Sequence, residues 1–350
     1  TKFVIPDNAF IPAGGWVRWV ADGDTKAGAD HVNFGLRGRG ELLRLYGSRR
    51  NPIDEVEIVN QADGISRGRL PDGAGQYAHF PTTPTPGASN YLPLLDVVIN
   101  EVLSHTDAPL EDAIELRNIS DSEVDVSGWL LGDTPSSKTR YEIPEDTTIA
   151  PGGYAVFYEG QFNAGGIGFS LNSAHGDTVY LTAVNAEGNP TGYRVVQAIP
   201  PTVNGVSVGR VPTSQGWEFA ALAKRTFGSD LPGKVEQFRT GEGADNASAL
   251  VGPVVISEIQ YEGAPDVLGL GQAQLEYIEL LNISNRSVPL FNPIEPHNTW
   301  RLAGGVGMTF PGEITLKGGE FLLLVGFDPV AEPAIASRFV QHYDVPDYVS

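Results

Sequence analysis

Short runs in which apolar and polar residues alternate occupy much of this chain, and a two-residue period is the signature of a half-buried strand. Val17 and Trp19 follow that period directly after a glycine pair. Two runs of β-branched residues, at 97–99 and 254–256, are typical of central strands. Glycine pairs and Pro-Gly steps between the runs favour tight turns. The pattern predicts an all-β chain of immunoglobulin-like sandwiches.

One segment near the C-terminus departs from the two-residue period. Ile335, Phe339 and Tyr343 recur at a spacing of four residues within the segment 334–343. This spacing places apolar side chains on one face of a helix. The segment therefore predicts one short helix near the C-terminus, docked on neighbouring strands.

The strand blocks recur along the chain, and such internal repeats decide how a fold is divided. The recurring pairs are 1–6 with 139–144, 64–71 with 205–212, 97–102 with 254–259, and 114–120 with 278–284. Residues 96–250 contain every block, whereas 1–95 contain only the later blocks and 251–350 only the earlier ones. We therefore predict one complete domain at 96–250. The C-terminal part of such a domain precedes it at 1–95, and the N-terminal part of another follows at 251–350.

Composition and charge narrow the classes of function. The 350 residues include 42 Gly, 26 Pro and no Cys, so turns are frequent and a disulfide or a Cys-ligated metal is excluded. No run approaches the roughly 18 apolar residues that a transmembrane segment requires. The 43 Asp and Glu exceed the 23 Lys and Arg, and the net charge of -20 disfavours nucleic-acid binding. The chain begins at Thr1 rather than Met, so we expect it to be processed, trimmed or part of something longer.

Several blocks together resemble the lamin-tail domain as it occurs in large bacterial surface and secreted proteins. The matching elements are 98–102, 114–118, 127–130, 143–144 and 150–154 in the middle of the chain, and 34–36, 40–41, 68–73 and 85–90 nearer its start. Their fixed order, seen more than once, carries the resemblance. The middle copy departs at its end, where 226–230 stands in place of the closing block 85–90. The resemblance implies an immunoglobulin-like fold and a binding or scaffolding role, with no catalytic residues.

Two serines lie in sequences that match the nucleophile elbow of α/β-hydrolases. Ser66 and Ser207 each stand in the pattern Gly-x-Ser-x-Gly, which in those enzymes joins a strand to a helix through a sharp turn. Pro71 and Pro212 follow here and block a helix. We therefore predict strand edges or bulges at both serines, and no enzyme activity.

Paired glutamates recur on blocks that are predicted to form neighbouring strands. Glu101 and Glu115 form one pair, and Glu258 and Glu279 occupy the same places in the second copy. Paired carboxylates occur in glycosidases, and a cation site is a further alternative. Because the pair keeps its place in both copies, we favour a role in holding the fold.

Two acidic loops offer the hard oxygen ligands that suit Ca²⁺, although neither has the spacing of an EF-hand. Solvated acidic loops are the more common meaning of such sequences, and we predict no other cofactor. The six histidines are scattered without the spacing of a zinc site. The calcium candidates are Asp22, Asp24, Asp30, Asp107, Glu111 and Asp112.

The leading function predicted from the sequence is a non-enzymatic structural or adhesive segment at the cell surface or outside the cell. The sandwiches would act as spacers or assembly units, with other copies of the chain or neighbouring surface proteins as partners, because sandwich edges invite strand pairing. If the chain is complete, partial domains that complete each other between chains would build a filament, since a head-to-tail contact propagates. If the chain is a fragment, which is the more common case, the two halves are truncated domains. The alternative is a ligand- or carbohydrate-binding accessory module of a larger secreted enzyme. The five Trp weaken it, because most lie in strand patterns typical of a core.

Overall fold

The computed structural model describes residues 3–60, 62–135, 140–214, 216–263 and 268–346. The chain forms two compact units, which divide between Ser248 and Ala249. Strands far outnumber helices, so the predicted all-β immunoglobulin-like class is confirmed. The finer division between 1–95 and 96–250 stays a prediction, and residues 1, 2 and 139 of the repeated opening block lie outside the described residues. In the described ranges, no helix has the length and apolar character needed to cross a membrane.

The first unit begins with two antiparallel hairpins, in which strands are numbered in chain order. The first hairpin joins β1 (Glu41–Tyr46) to β2 (Pro52–Ile58), and the second joins β3 (Ser66–Arg69) to β4 (Tyr77–Phe80). Val32 and Phe80 are buried in this part of the unit. The apolar residues of the first hairpin, in contrast, are largely exposed.

The centre of the first unit is a sandwich of two five-stranded sheets. Sheet A has the spatial order β10 (Tyr141–Glu142), β9 (Leu130–Gly132), β13 (Asp177–Val184), β14 (Pro190–Ile199) and β5 (Leu92–Pro93). Sheet B has the spatial order β12 (Tyr154–Tyr158), β7 (Ala113–Asn118), β6 (Val97–Leu103), β15 (Val208–Thr213) and β16 (Gly216–Ala221). All neighbours are antiparallel except β14 and β5.

The sandwich core forms where the inner faces of the two sheets meet. Ile99 and Val102 of sheet B pack in the same buried cluster as Val179 and Leu181 of sheet A. Burial of one such side chain contributes roughly 1.5–3 kcal/mol, so this cluster holds the sheets together. Short elements close the ends of the sandwich: the ladder of β8 (Val124–Asp125) and β11 (Thr148–Ile149), helix α1 (Glu159–Phe162) and a 3₁₀ turn (Ala164–Gly166).

A second layer covers the outer face of sheet B. Residues 222–248, which we call the strap, leave β16 and include helix α2 (Val235–Phe238). Phe227 and Phe238 of the strap pack against Leu103 and Tyr158 of the sheet in a separate buried cluster. The central strand β6 of sheet B is therefore covered on both faces, and all seven of its residues are buried.

The second unit is built around a three-stranded antiparallel sheet. Its spatial order is β17 (Val254–Gln260), β18 (Tyr277–Asn282) and β23 (Phe321–Val325). Helix α3 (Gln272–Leu275) precedes β18, and two short ladders follow it. These ladders pair β19 (Val288–Pro289) with β22 (Thr315–Leu316), and β20 (Arg301–Leu302) with β21 (Met308–Thr309).

The predicted C-terminal helix is present as α4 (Pro333–Tyr343), one residue longer than the periodicity predicts. Pro333 begins it, because the fixed φ of proline suits the first helical position. Phe339 is buried beside Tyr277 and Leu275, and Tyr343 donates a hydrogen bond from its hydroxyl to the Leu275 carbonyl at 2.8 Å. The four-residue apolar spacing thus reports the face that docks.

Candidate functional site

The candidate site is a pair of buried carboxylates on the outer face of sheet B. Glu101 of β6 lies directly opposite Glu115 of β7, and both residues have no exposed surface. A β-bulge lies between Ile99 and Glu101, where two residues of β6 are opposed by one of β7. Ile99 and Val102 stay in the inner core. The bulge therefore turns Glu101 outward, toward the strap.

Glu101 joins β6 to β15 and to the strap through hydrogen bonds. The Ser207 hydroxyl donates to Glu101 Oε1 at 2.5 Å. The Thr226 backbone N–H donates to Oε2 at 3.2 Å, and the Thr226 hydroxyl donates to the same oxygen. Burial raises the pKa of Glu101, while the hydrogen bonds from Ser207 and Thr226 and the charge of Arg225 oppose that rise. One carboxylate thus ties three segments together.

Glu115 is less well satisfied. Asn100 Nδ2 donates to Glu115 Oε1 at 2.6 Å, whereas Oε2 is buried and accepts no hydrogen bond of normal geometry from the described residues. Burial, together with the neighbouring Glu101 charge, raises the pKa of Glu115 to about 8, although the Asn100 hydrogen bond opposes the rise. Glu115 is therefore mostly protonated near neutral pH, which lets two carboxyl groups lie side by side.

Asn246 of the strap completes the polar cluster. Its Nδ2 donates to the Asn100 carbonyl at 3.0 Å and to the Arg210 carbonyl at 2.8 Å, while its Oδ1 accepts from Asn100 Nδ2 at 2.8 Å. Gly243 lets the strap approach, because a Cβ there would lie 2.5 Å from Glu115 Oε2 and its φ is +83°. The hydrogen bonds of this cluster hold β6, β15 and the strap together.

The structure corrects the predicted end of the middle copy. Residues 226–230 are predicted to stand in place of the closing block 85–90, but Asn246 has the role that Asn90 has in that block. Asn90 Nδ2 donates to the Arg69 carbonyl at 3.0 Å, as Asn246 Nδ2 does to the Arg210 carbonyl. The signal was a recurring Gly-Ala-x-Asn at 87–90 and 243–246, in which both glycines have positive φ. Sequence reasoning missed Asn246, Asn100 and Thr226 as members of the cluster.

The Gly-x-Ser-x-Gly matches do not form nucleophile elbows. Ser207 is buried and engaged with Glu101, and strand β15 rather than a helix follows it. Ser66 begins strand β3. Gly209 allows close packing, since a Cβ there would lie 2.9 Å from the Asn100 carbonyl oxygen. The predicted strand edge fits Ser66, which begins a strand of a two-stranded sheet, whereas Ser207 directly precedes an interior strand of sheet B.

The first acidic loop is organised by its own hydrogen bonds. Asp22 Oδ2 lies 2.7 Å from His31 Nδ1, and Asp22 Oδ1 accepts the Asp24 backbone N–H at 2.9 Å. These contacts lower the pKa of Asp22, the Asp24 backbone bond most of all. Asp24 Oδ1 accepts the Lys26 backbone N–H at 3.0 Å, and Asp30 Oδ1 lies 4.0 Å from His31 Nε2.

The second acidic loop is also engaged with protein groups. Glu111 accepts hydrogen bonds from the Arg239 guanidinium through both oxygens, and Asp107 accepts one from Asn204. Asp112 accepts the Thr106 hydroxyl at 2.9 Å, and burial raises its pKa to about 6.

Over the described ranges, the structure brings together no group of three His, Cys, Asp or Glu that could hold a metal ion. Calcium at either loop stays a prediction.

The prediction that most tryptophans lie in the core is wrong. Trp16, Trp217 and Trp300 are between 42% and 60% exposed, and Trp129 is buried. The Arg210 guanidinium stacks on the Trp217 ring at 5.1 Å. The strand predicted from the alternation of Val17 and Trp19 is also wrong, because the first strand in the described residues is β1, which begins at Glu41. Alternation does not say whether a second sheet covers the apolar face.

Residues 93–194 match the family model of the Lamin Tail Domain. The matched range runs from β5 into β14, so it includes Glu101 and Glu115 but neither Ser207 nor the strap. The predicted resemblance is confirmed for this segment, whose family is an immunoglobulin-like, generally non-catalytic domain compatible with a structural or binding role. No curated protein and no solved structure matches the chain.

Proposed function

We propose that the chain is a non-enzymatic structural segment in which β-sandwiches serve as spacers or assembly units. The observation that carries the proposal is the use of the catalytic-looking groups. The Ser207 hydroxyl and the Glu101 carboxylate bond each other and join β6, β15 and the strap. Ser207 is 1% exposed and Glu101 has no exposed surface. A hydroxyl that is buried and bound in this way stabilises a fold and is closed to substrate.

The repeated architecture supports the proposal that the chain carries tandem lamin-tail copies. In the second unit Glu258 lies opposite Glu279, and a register shift between Ile256 and Glu258 marks a bulge at the same place as in β6. The Ser257 hydroxyl donates to Glu279 Oε1 at 2.6 Å, as Asn100 does to Glu115. The same local solution in two sheets is what a repeated structural unit would have.

We place this segment at the cell surface or outside the cell, in a bacterium. The acidic composition keeps such a segment soluble. The absence of Cys and the sequence resemblance to the lamin-tail domains of bacterial surface proteins support the same location. Adhesion to neighbouring surface proteins and growth into a filament are part of the same proposal.

A carbohydrate-binding accessory module is the second candidate, and the exposed Trp217 and Trp300 favour it. An exposed aromatic ring is the usual platform for a sugar. The Arg210 guanidinium, however, covers one face of the Trp217 ring, so only the other face could bind a sugar.

Sedimentation velocity over a wide concentration range, paired with a glycan-binding panel, separates the two candidates. We expect particles that grow with concentration and no saturable glycan binding. A chain that stays at its single-chain mass of 37.4 kDa and binds one glycan class would refute the assembly function and establish the accessory module.

A further inference from the structure

Two isoleucines of strand β17 occupy positions that are buried in the core of the middle domain, but here they are half exposed. Ile99 and Val102 of β6 are 1% and 0% exposed, whereas Ile256 and Ile259, at the same places in β17, are 52% and 54% exposed. The difference comes from the surroundings, because β17 has the same bulge and the same sequence block. In the part of the chain that the structure describes, β17 pairs with β18 alone, whereas β6 also pairs with β15.

The β1–β2 hairpin corresponds to the part of sheet A that packs against β6 in the middle of the chain. Its core-facing residues are exposed. Leu43 and Leu45 stand two and four residues after the pair Glu41–Ile58, as Val179 and Leu181 stand after the pair Asp177–Ile199. Leu43 and Leu45 are 39% and 45% exposed, whereas Val179 and Leu181 have no exposed surface.

The turn before β1 also matches the turn before β13. A Cβ on Gly40 would meet the Ile58 carbonyl oxygen at 2.7 Å, and a Cβ on Gly176 would meet the Ile199 carbonyl oxygen at 2.6 Å. The β1–β2 hairpin therefore has the geometry of the hairpin that β13 and β14 form in sheet A. Its core-facing side chains, Leu43 and Leu45, are exposed.

Strand β3 repeats the strand that pairs with β6. Gly68 of β3 lies opposite Ala78, as Gly209 of β15 lies opposite Ala220. In the described ranges β3 pairs with β4 only, so its other edge carries no ladder. That edge corresponds to the edge that β15 offers to β6.

Asn90 is already positioned beside β3 as Asn246 is beside β15. Asn246 Nδ2 gives one hydrogen bond to the Arg210 carbonyl and another to the Asn100 carbonyl. Asn90 Nδ2 gives the first of these, to the Arg69 carbonyl. A docked β17 would supply the second acceptor, since Ser257 stands at the place of Asn100.

We propose that the described residues of 31–91 in one copy (the back half) dock on the described residues of 254–325 in a second copy (the front half) and complete a sandwich between chains. This inference rests on the proposed assembly function and names its contact. The register follows from the middle of the chain, where Val208 lies opposite Val102 and Gly209 opposite Glu101.

In the docked pair, Arg67 lies opposite Ile259, and Gly68 lies opposite Glu258. The Ser66 hydroxyl then donates to Glu258, as Ser207 donates to Glu101.

Charge favours this occupant. Residues 31–91 contain seven Arg against six Asp and Glu, in a chain whose net charge is -20, whereas residues 254–325 contain three Lys and Arg against eight Asp and Glu. Arg67 departs from the middle copy, which has Val208 at the same place. Its guanidinium reaches the Glu57 carbonyl at 2.7 Å and stacks on the Tyr77 ring at 4.5 Å, so the charge is held within its own half.

Charge-block variants of the full chain test the contact. Leu45→Lys blocks the back half and Ile259→Lys blocks the front half. Both side chains are about half exposed in the single chain, so the variants should fold as wild type, which circular dichroism checks. Leu231→Lys is the matched control, since Leu231 is 94% exposed on the strap.

In sedimentation velocity we expect each blocked variant to associate at least tenfold more weakly than wild type, while the control assembles normally. A mixture of the two blocked variants should form two-chain particles and nothing larger, because each chain keeps one working half. Blocked variants that assemble as wild type would overturn this contact and leave the assembly function standing. A wild-type chain that never assembles would overturn both.

Engineered cysteines then test the register, and the natural chain has no Cys to interfere. Chains with Arg67→Cys, mixed under oxidising conditions with chains bearing Ile259→Cys, should give a two-chain disulfide product, because directly opposite residues have suitable spacing. Pairing Arg67→Cys with Val330→Cys serves as the control. Absence of the first product, or a one-chain product when both cysteines are in one chain, would overturn docking between copies.

Discussion

Glu115 makes the stability of the first unit depend on pH in a direction that runs against common experience with carboxylates. Replacement by Gln keeps the shape of the side chain and removes its titration. The folded unit holds the Glu115 proton with a pKa of about 8, because the carboxyl group is buried beside Glu101, whereas the ordinary value is 4.5. Below about pH 4.5 both the folded and the unfolded chain are protonated, so the full stability is present there.

Between about pH 4.5 and 8 the unfolded chain releases this proton and the folded chain keeps it, so the free energy of unfolding falls as the pH rises. Each pH unit within that window costs at most about 1.4 kcal/mol. From pH 5 to pH 8 the loss due to Glu115 is therefore at most about 4 kcal/mol. In the Glu115→Gln variant, the introduced amide adds a constant cost of roughly 1–3 kcal/mol from an imperfect hydrogen bond, independent of pH.

The assay is denaturant unfolding at a series of pH values, followed by tryptophan fluorescence in a Trp300→Phe background. That background leaves all remaining tryptophans within residues 1–248. We expect the Glu115→Gln variant to gain stability relative to its parent as the pH rises from 5 to 8.

Asp125→Asn is the control for this titration. Hydrogen bonds from Ser127 lower the pKa of Asp125, so its contribution is present above the ordinary value of 3.8 and is lost only on acidification. Parallel curves for Glu115→Gln and its parent between pH 5 and 8 would refute the reasoning.

Three further substitutions test the strap by the same unfolding measurement. Ser207→Ala removes one hydrogen-bond donor to Glu101 and should destabilise the first unit by roughly 1–3 kcal/mol. An unchanged denaturant midpoint of unfolding would contradict the role of this hydrogen bond in holding β15 to β6. Phe238→Ala empties a fully buried position and should cost roughly 3–5 kcal/mol, whereas Leu231→Ala, at an exposed position of the same strap, should stay within about 0.5 kcal/mol. Asn246→Ala should cost roughly 2–4 kcal/mol, since two carbonyls and the Asn100 amide lose their partner; equal effects of the Leu231 and Asn246 substitutions would sink that account.

Alternation and repetition were enough to predict the strands around the carboxylate pair. The β-branched run at 97–99 lies in β6, and Glu101 and Glu115 lie on neighbouring strands as the repeated blocks predict. Helix α4 followed from three apolar residues at a spacing of four. Each of these features is local, or is set by the pairing of two strands whose sequences carry the signal.

The strap could not be predicted in the same way, because its contacts follow no period. Phe227 and Phe238 are eleven residues apart, a spacing that neither a strand nor a helix period predicts, yet both lie in the same buried cluster. Asn246 acts through three hydrogen bonds to groups more than thirty residues away, two of them with Asn100. The exposure of Leu43 and Leu45 was hidden for a related reason: alternation identifies a core face, and only the tertiary structure tells whether anything covers it.

The alternation that exposes these faces also specifies how two copies can meet. Shifting a strand by one residue turns every side chain to the opposite face. A slip of β3 by one residue along β17 would leave the faces of β17 unchanged, because β18 pairs with it. The slip would turn the side chains of β3 to the opposite face, so Glu258 would be buried without the Ser66 hydroxyl, which is costly. Two chains should therefore form one register. Arg67→Cys with Gln260→Cys, one residue out of the proposed register, should form the two-chain disulfide at least tenfold more slowly than the pairing with Ile259→Cys. Equal rates would show that the edges pair without a fixed register, and that the middle domain is the wrong template for the contact.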